Sequence, residues 1–497
     1  MKAQLIGKKY KKKYRQGFAT LEILIAFTVV ILSISAVIMV TFSNQSVAVD
    51  SQTNIEAISG AQAMLEQARA TSRQDFDLVI NIPVTSDGIY QKSLTIQTLN
   101  SDTKKATSTV TWNNGARKPA VNLVTLFTNF KNSRDTCNPT ITGGWQNPQI
   151  TTYEFGKDLL GDSLNIFPIS AVDVFKGKLF VTVDNSSANN LPTFFEFNLS
   201  DPKTPALPAS IDNASTVSAG LNAVAISDNY AYVANAYTGS ASTCTEDDNC
   251  AQLQVIDIPS LKVVKNLKIP GITSGGKLAA GTNIFYYQGY LYLGLAKTAS
   301  GSEFNIIDVS TPSNPIYKGG YRVGNTVNSI FVKNNYAYIA TSNNENLTIL
   351  DISNPSNPTR AGGYSFPSGP NGESVYAKGN TVYLGRTFGA NEFNIFNATD
   401  PKNVYLIKSK DIGTGNQTSI NSLFVRDYLA FMITKQKFEI WNIADTNNIF
   451  PWTLNSLESE FPALSGSGTA MDCEGNYMYI GSVNASDKGY LSIITSN

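Results

Sequence analysis

The chain has 497 residues, of which 42% are hydrophobic and 15% charged, with 38 basic and 38 acidic side chains. Such a composition belongs to a folded protein of two or three domains and excludes an intrinsically disordered one. There is no histidine, which excludes Ser-His-Asp and Cys-His catalysis and any histidine-ligated metal centre on this chain.

The zero net charge hides an asymmetry. Residues 1–17 hold seven basic side chains (Lys2, Lys8, Lys9, Lys11, Lys12, Lys13 and Arg15) and no acid, so the remainder has 38 − 7 = 31 basic against 38 acidic groups, a net −7. No basic patch for nucleic acid stands outside this leader. Residues 17–42 (GFATLEILIAFTVVILSISAVIMVTF) then form an apolar run broken by one charge, Glu22. About 20 apolar residues suffice to cross a bilayer as a helix, and the basic leader favours a cytoplasmic start. A carboxylate inside such a run is costly, because hydrocarbon cannot solvate it. A cleaved secretory signal fits badly, since its apolar core is only about 7–15 residues long.

Basic leader, Gly17, Phe18, Thr20, Leu21, Glu22 and apolar tract together resemble the N-terminus of a type IV prepilin or pseudopilin. The resemblance implies cleavage after Gly17 by a prepilin peptidase and N-methylation of Phe18. It further implies that Glu22 neutralises the Phe18 ammonium of a neighbouring subunit during assembly. A buried carboxylate and a buried ammonium are each costly alone and tolerable as a pair.

From residue 18 to about 73 there is no proline and one glycine, Gly60. Ile55, Ile58, Ala61, Leu65 and Ala68 recur at helical spacing. The pattern predicts one helix over 18–73, membrane-spanning over 18–42 and amphipathic beyond, roughly 80 Å long. Residues 88–99, 104–114 and 121–130 alternate apolar and polar between turns. They predict a small antiparallel sheet within 74–131, against which the helix packs. The run TSTVTWNNGARKPAVNLVTLFTNF resembles the terminal strands of minor pilins. Residues 132–149, rich in Asn, Pro, Gly and Thr, read as a linker, with Trp145 expected to pack against a neighbouring domain.

From residue 150 the sequence repeats. Segments such as KLFVTV, YAYVAN, YLYLGL, YAYIAT, TVYLGR, LAFMIT and YMYIGS share an aromatic at Phe180, Tyr232, Tyr292, Tyr338, Tyr383, Phe431 and Tyr479. The spacings are 52, 60, 46, 45, 48 and 48 residues. A further strand follows in each unit, and several continue as in DISNPSNPTRAGGY. Four short strands per repeat at this period mark a β-propeller. The repeats resemble LVIVD-type propeller repeats, most closely in ILDISNPSNPTRAGGY. The expected fold is an α+β pilin-like N-terminal domain followed by an all-β seven-bladed propeller over 150–497. The last unit ends after its third strand, so residues 150–155 (ITTYEF) are expected to complete it.

Ten residues before each shared aromatic lies a polar residue: Ser170, Asn222, Thr282, Asn328, Glu373, Asn421 and Thr469. These should open the innermost strands and ring one mouth of a central channel, as a candidate ligand ring with Glu373 as its one charge. Polar strand openings near water are the plainer reading. Asp257, Asp308 and Asp351, with Asn198, Asn397 and Asn442, recur after the third strand. There a short side chain can bond backbone two residues on and fix the turn. Four cysteines suggest disulfides in an exported chain: Cys244 with Cys250, and Cys137 with Cys473. The 245–249 insert carries Glu246, Asp247 and Asp248 without an EF-hand pattern, and reads as an acidic surface loop.

The functional expectation is a minor or tip subunit of a type IV pilus whose extracytoplasmic propeller serves adhesion or ligand binding. The alternative is a type II secretion pseudopilin whose propeller binds exported cargo, and the third reading is a surface hydrolase. Expected partners are the prepilin peptidase, other pilin or pseudopilin subunits through the helix, the membrane, and an unidentified surface ligand or cargo. No catalysis, cofactor, metal or nucleic acid is expected.

Overall fold

The computed structural model describes residues 18–74, 76–100, 103–113, 117–128, 137, 141–162, 166–184, 191–206, 220–236, 242, 244, 251–270, 273–274, 276–342, 345–367, 369–387, 389, 391–413, 418–435, 437–452, 464 and 466–497. The leader with Gly17, the side chains of Phe18 and Glu22, the 245–249 insert and Cys250 lie outside the described residues. The chain divides into two compact units. One comprises residues up to Ala70, Ile80–Ile96 and Lys105–Thr125, and the other Thr71–Val79, Gln97–Lys104 and Leu126–Asn497.

A single helix, α1 (Phe18–Gln74), runs for 57 residues, about 85 Å at the helical rise. Ile23–Thr41 is long and apolar enough to cross a membrane, and its side chains are exposed throughout. Inside that stretch the hydroxyls of Thr28, Ser33 and Thr41 donate to the carbonyls of Leu24, Val29 and Val37, each at 2.7 Å. These polar groups therefore need no partner beyond the helix itself.

Further along, α1 buries Ala57, Ala61, Leu65 and Ala68. Ala57 and Ala61 pack with Val110 and Trp112, flanked by Tyr90, Val121 and Leu123. Ile55, expected on this face, is exposed. It stands six residues before Ala61, about 120° away round the helix. The partner is a sheet in the order β1 (Ile82–Asp87), β2 (Tyr90–Asn100), β3 (Thr103–Trp112) and β4 (Ala120–Thr128). Alternation along β3 is strict, with every second side chain buried. Strand β1 was not expected, because Pro83 interrupts its run. Pro83 falls in the register shift between Ile82 and Thr85 of this edge strand, where its missing N–H is tolerated. The Tyr90 hydroxyl donates to Glu56 Oε2 (2.9 Å) and Thr53 O (3.2 Å), tying strand to helix.

The second unit is dominated by antiparallel sheets. Their first strands are Ile169–Phe175, Leu221–Ser227, Gly281–Tyr287, Val327–Lys333, Gly372–Lys378, Ser422–Arg426 and Ser467–Glu474. The sheets are called first to seventh in that order. Among the described residues the first has three strands, and the isolated bridge Asn198↔Ala206 follows it; the others have four. First strands of consecutive sheets pack side by side, and that of the seventh lies against that of the first. The arrangement is propeller-like.

Local chemistry explains the repeating hairpins. Between Phe175 and Lys178, Lys176 and Gly177 take φ of 51° and 73°, and Gln288 and Gly289 repeat this with 52° and 79°. Two consecutive left-handed residues give the turn whose twist matches the strands it joins. All seven shared aromatics are buried. Four of them stack on the residue that opens the third strand: Phe180 on Phe194, Tyr292 on Phe304, Tyr383 on Phe393 and Phe431 on Phe438.

The seventh sheet takes its fourth strand from the start of the domain. Strand β5 (Gln149–Glu154) runs antiparallel to Gly489–Thr495, from Glu154 opposite Tyr490 to Gln149 opposite Thr495. Lys488 pairs with Glu154 at 2.7 Å. Just upstream, Cys137 and Cys473 form a disulfide. Residues 141–148 do not behave as a free linker. Trp145 is 1% exposed, meets Phe431 edge-on at 5.0 Å and shares a core with Met478, Ile480 and Ile494. Trp145 is thus the apolar anchor of an otherwise polar stretch. Cys244 is also disulfide-bonded; Cys250, its expected partner, lies outside the described residues.

Candidate functional site

All seven residues of the expected ring line one cavity of about 840 Å³ enclosed by the first strands. Each lies within two residues of the start of its strand, so the repeat period alone carries them to the same level. Their hydrogen bonds explain why they are polar. Asn222 Nδ2 donates to Gly281 O (2.8 Å), Thr282 Oγ1 to Val327 O (2.6 Å), Asn328 Nδ2 to Gly372 O (2.6 Å) and Asn421 Nδ2 to Gly468 O (2.7 Å). Each acceptor is the residue just before the next ring member. A carbonyl can only accept, so these amides are oriented by necessity. The ring is first a belt that stitches neighbouring sheets together.

Glu373 departs from this pattern, because a carboxylate has no proton to donate. Its neighbour Ser374 takes over the stitch, with Oγ donating to Ile420 O at 2.8 Å. Ser170 Oγ instead meets Thr182 Oγ1 of its own sheet at 3.0 Å. Glu373 makes no hydrogen bond among the described residues, and neither does the buried Thr469 hydroxyl. Burial pushes the Glu373 carboxyl up to about 7, against the opposing charge of Lys435. Desolvation favours the neutral form of an acid that has no donor nearby.

Two more carboxyls on the lining were not singled out from the sequence: Asp184 and Asp487. Burial, with the charge of Asp487 second, raises the pKa of Asp184. Asp184 and Lys435 occupy one repeat position, four residues after the shared aromatic, where the other repeats carry Ala236, Ala296, Ser342, Thr387 and Val483. Extending the repeat alignment by that column would have found them. No Lys or Arg lies on the lining. No three His, Cys, Asp or Glu side chains converge as metal ligands among the described residues.

The recurrent Asp and Asn after the third strand fix turns. Asn198, Asp308, Asp351, Asn397 and Asn442 each accept from the backbone N–H two residues on, at 2.9–3.0 Å. Asp257 differs and accepts from Ser260, three residues on. The hydroxyl and N–H of Ser310 hold Asp308 below the usual carboxylate range, and those of Ser353 do so for Asp351.

A second clamp escaped the sequence. Buried Glu303 accepts from the N–H groups of Val323 and Gly324, Glu392 from that of Ile412, and Gln252 from that of Ile269. Each ties the start of a third strand to the crossover into the next sheet.

Comparison with known families matches the LVIVD repeat at residues 222–238, 282–323 and 324–365. No curated protein sequence matches the chain. Among solved structures, the N-terminal domain of Nup159 is similar at 11% identity, over 72% of this chain and 97% of that one, with a TM-score of 0.43. A functionally unknown protein from Desulfotomaculum acetoxidans is similar at 13% identity, over 58% and 90%, with a TM-score of 0.41. A putative 6-phosphogluconolactonase from Bacteroides uniformis is similar at 9% identity, over 64% and 96%, with a TM-score of 0.45.

Proposed function

We propose that the chain is a minor or tip subunit of a type IV pilus, displaying a seven-bladed β-propeller outside the cell for adhesion or ligand binding. The observation that carries this reading is one continuous helix with an exposed apolar stretch over Ile23–Thr41 that then buries Ala57 and Ala61 in a core with Val110 and Trp112. Added to Gly17, Phe18 and Glu22 in sequence, this is the anatomy a pilin requires. The apolar half anchors the precursor in the membrane with its leader cytoplasmic. After cleavage the Phe18 ammonium of one subunit meets Glu22 of the next, and the pair makes each charge tolerable in an apolar packing. A body of this size crowds a filament if every subunit carries it, which favours low stoichiometry. The reading assigns no catalysis to the propeller.

Mass spectrometry of the mature chain tests it. A first residue of N-methylated Phe18, together with loss of filament incorporation in Glu22→Ala, is expected. A mature chain starting at Met1, or normal incorporation of Glu22→Ala, overturns the reading. Capture of exported enzymes instead of surface ligands by the propeller would move the chain to a secretion pseudopilus.

A further inference from the structure

The axial cavity has one feature the sheet-stitching belt does not explain. At six positions the ring residue is a small hydroxyl or amide; at the fifth sheet it is Glu373, and the stitch is displaced onto Ser374. Structurally the glutamate contributes nothing there. An unbonded, partly buried carboxyl is a cost to the fold.

The lining shows what would offset that cost. Its ionisable groups are the carboxyls of Glu373, Asp184 and Asp487, with no cation among them. Asn222 and Asn421 donate their Nδ2 sideways to backbone carbonyls, which leaves Oδ1 as the remaining acceptor on each. The Thr469 hydroxyl is buried without a partner. The free capacity of this cavity is thus acceptor-rich and negative. The nearest opposing charge, Lys435, acts on Glu373 less strongly than burial does. A hard metal ion needs about six to eight oxygens, several of them carboxylates, and no such group converges among the described residues. Carboxylates standing apart among neutral acceptors suit a directional ammonium or guanidinium donor instead.

From this geometry we infer that the cavity binds an organic cation, a ligand presenting an ammonium or guanidinium group, with Glu373 as its counter-ion. The inference is independent of how the chain is anchored. Binding transfers the Glu373 proton to solvent when the carboxyl starts neutral, and forms the ammonium–carboxylate pair. The charged groups that bear on this step are Lys435, Asp184 and Asp487.

The test is calorimetric titration of the full chain in dodecyl maltoside with butane-1,4-diamine, and separately with calcium chloride and sodium succinate. Expected is saturable binding of the diamine at one site per chain, about tenfold tighter at pH 8 than at pH 6, since a carboxyl titrating near 7 is ionised at one and neutral at the other. At pH 6 nearly one proton should leave per diamine bound, read from buffers of different ionisation heat. Glu373→Gln, checked for folding by circular dichroism, should weaken diamine binding at least tenfold at pH 8. Should that variant fail to fold, the pH profile and proton count of the unaltered chain still decide. Absence of diamine binding, binding that ignores pH or Glu373→Gln, or Glu373-dependent binding of calcium or succinate in its place overturns the inference.

Discussion

Replacing Cys137 and Cys473 by serine opens the one covalent link between the entry segment and the seventh sheet. The bridge spans 336 residues of sequence. For a loop of that length the loss of unfolded-chain entropy is about 4–6 kcal/mol at 25 °C. The unit that melts extends from Leu126 to Asn497, and at about 2 cal/mol/K per residue its unfolding entropy is close to 0.8 kcal/mol/K. The double variant should therefore melt about 5–8 °C below the parent, with β5 still paired at low temperature. Differential scanning calorimetry of the full chain in nonionic detergent measures this. The serine variant is cleaner than added reductant, because reductant also opens the disulfide at Cys244. Melting within about 1 °C of the parent would refute the reasoning, and would mean that the paired strands keep the unfolded ends together without the bond.

Trp145→Ala should cost about 3–5 kcal/mol by urea denaturation, since it empties a site packed on Phe431. Gly481→Ala places a Cβ 2.5 Å from Ile169 Cγ2 and should cost about 1–3 kcal/mol, read as a thermal shift. Ser374→Ala leaves the Ile420 carbonyl without its donor and should cost about 1–2 kcal/mol. Glu373→Gln should behave oppositely. The folded carboxyl titrates at about 7, above its unfolded value near 4.3, so between those values the folded state holds more protons than the unfolded one. Stability of the parent thus falls as pH rises through that window. The variant should match the parent near pH 4 and exceed it by about 3–4 kcal/mol at pH 8, measured by paired urea titrations. Asp308 and Asp351 are shifted downward; their contribution is present above about pH 4 and should be lost as pH falls through their folded values.

Much of this architecture is written in the sequence as period. The shared aromatics set the register of every sheet, and counting ten residues back from each reaches the same cavity. The closing strand was legible because the last repeat lacks its fourth strand while ITTYEF stands unclaimed before the first. What period could not give is the partner of each polar residue. The stitch from Asn328 to Gly372 O joins residues 44 apart, and nothing local distinguishes it from a residue that faces a ligand. Glu373 was visible as an oddity, but its release from the belt emerges only when Ser374 is seen to bond in its place. Asp487 lies in the connection between the second and third strands, whose length differs from repeat to repeat, so no repeat alignment exposes it. Trp145 was visible as an indole in a polar stretch and expected to pack on a neighbouring domain, but nothing local names its partners, Phe431, Met478 and Ile480.

On the reading proposed above, of a chain anchored by its N-terminal helix, the placement of Cys137 ahead of β5 has a mechanical consequence. Tension arriving along the chain from residues before Cys137 passes through the sulfur bridge to Cys473. The pairing of β5 with Gly489–Thr495 is then spared that load. Without the bridge, the same pull would fall directly on six paired residues at the sheet edge, and the strand that shuts the circle would be the first to peel away. On the function proposed above, a pull delivered through the helix thus enters the body at the sulfur bridge and spares the closing strand.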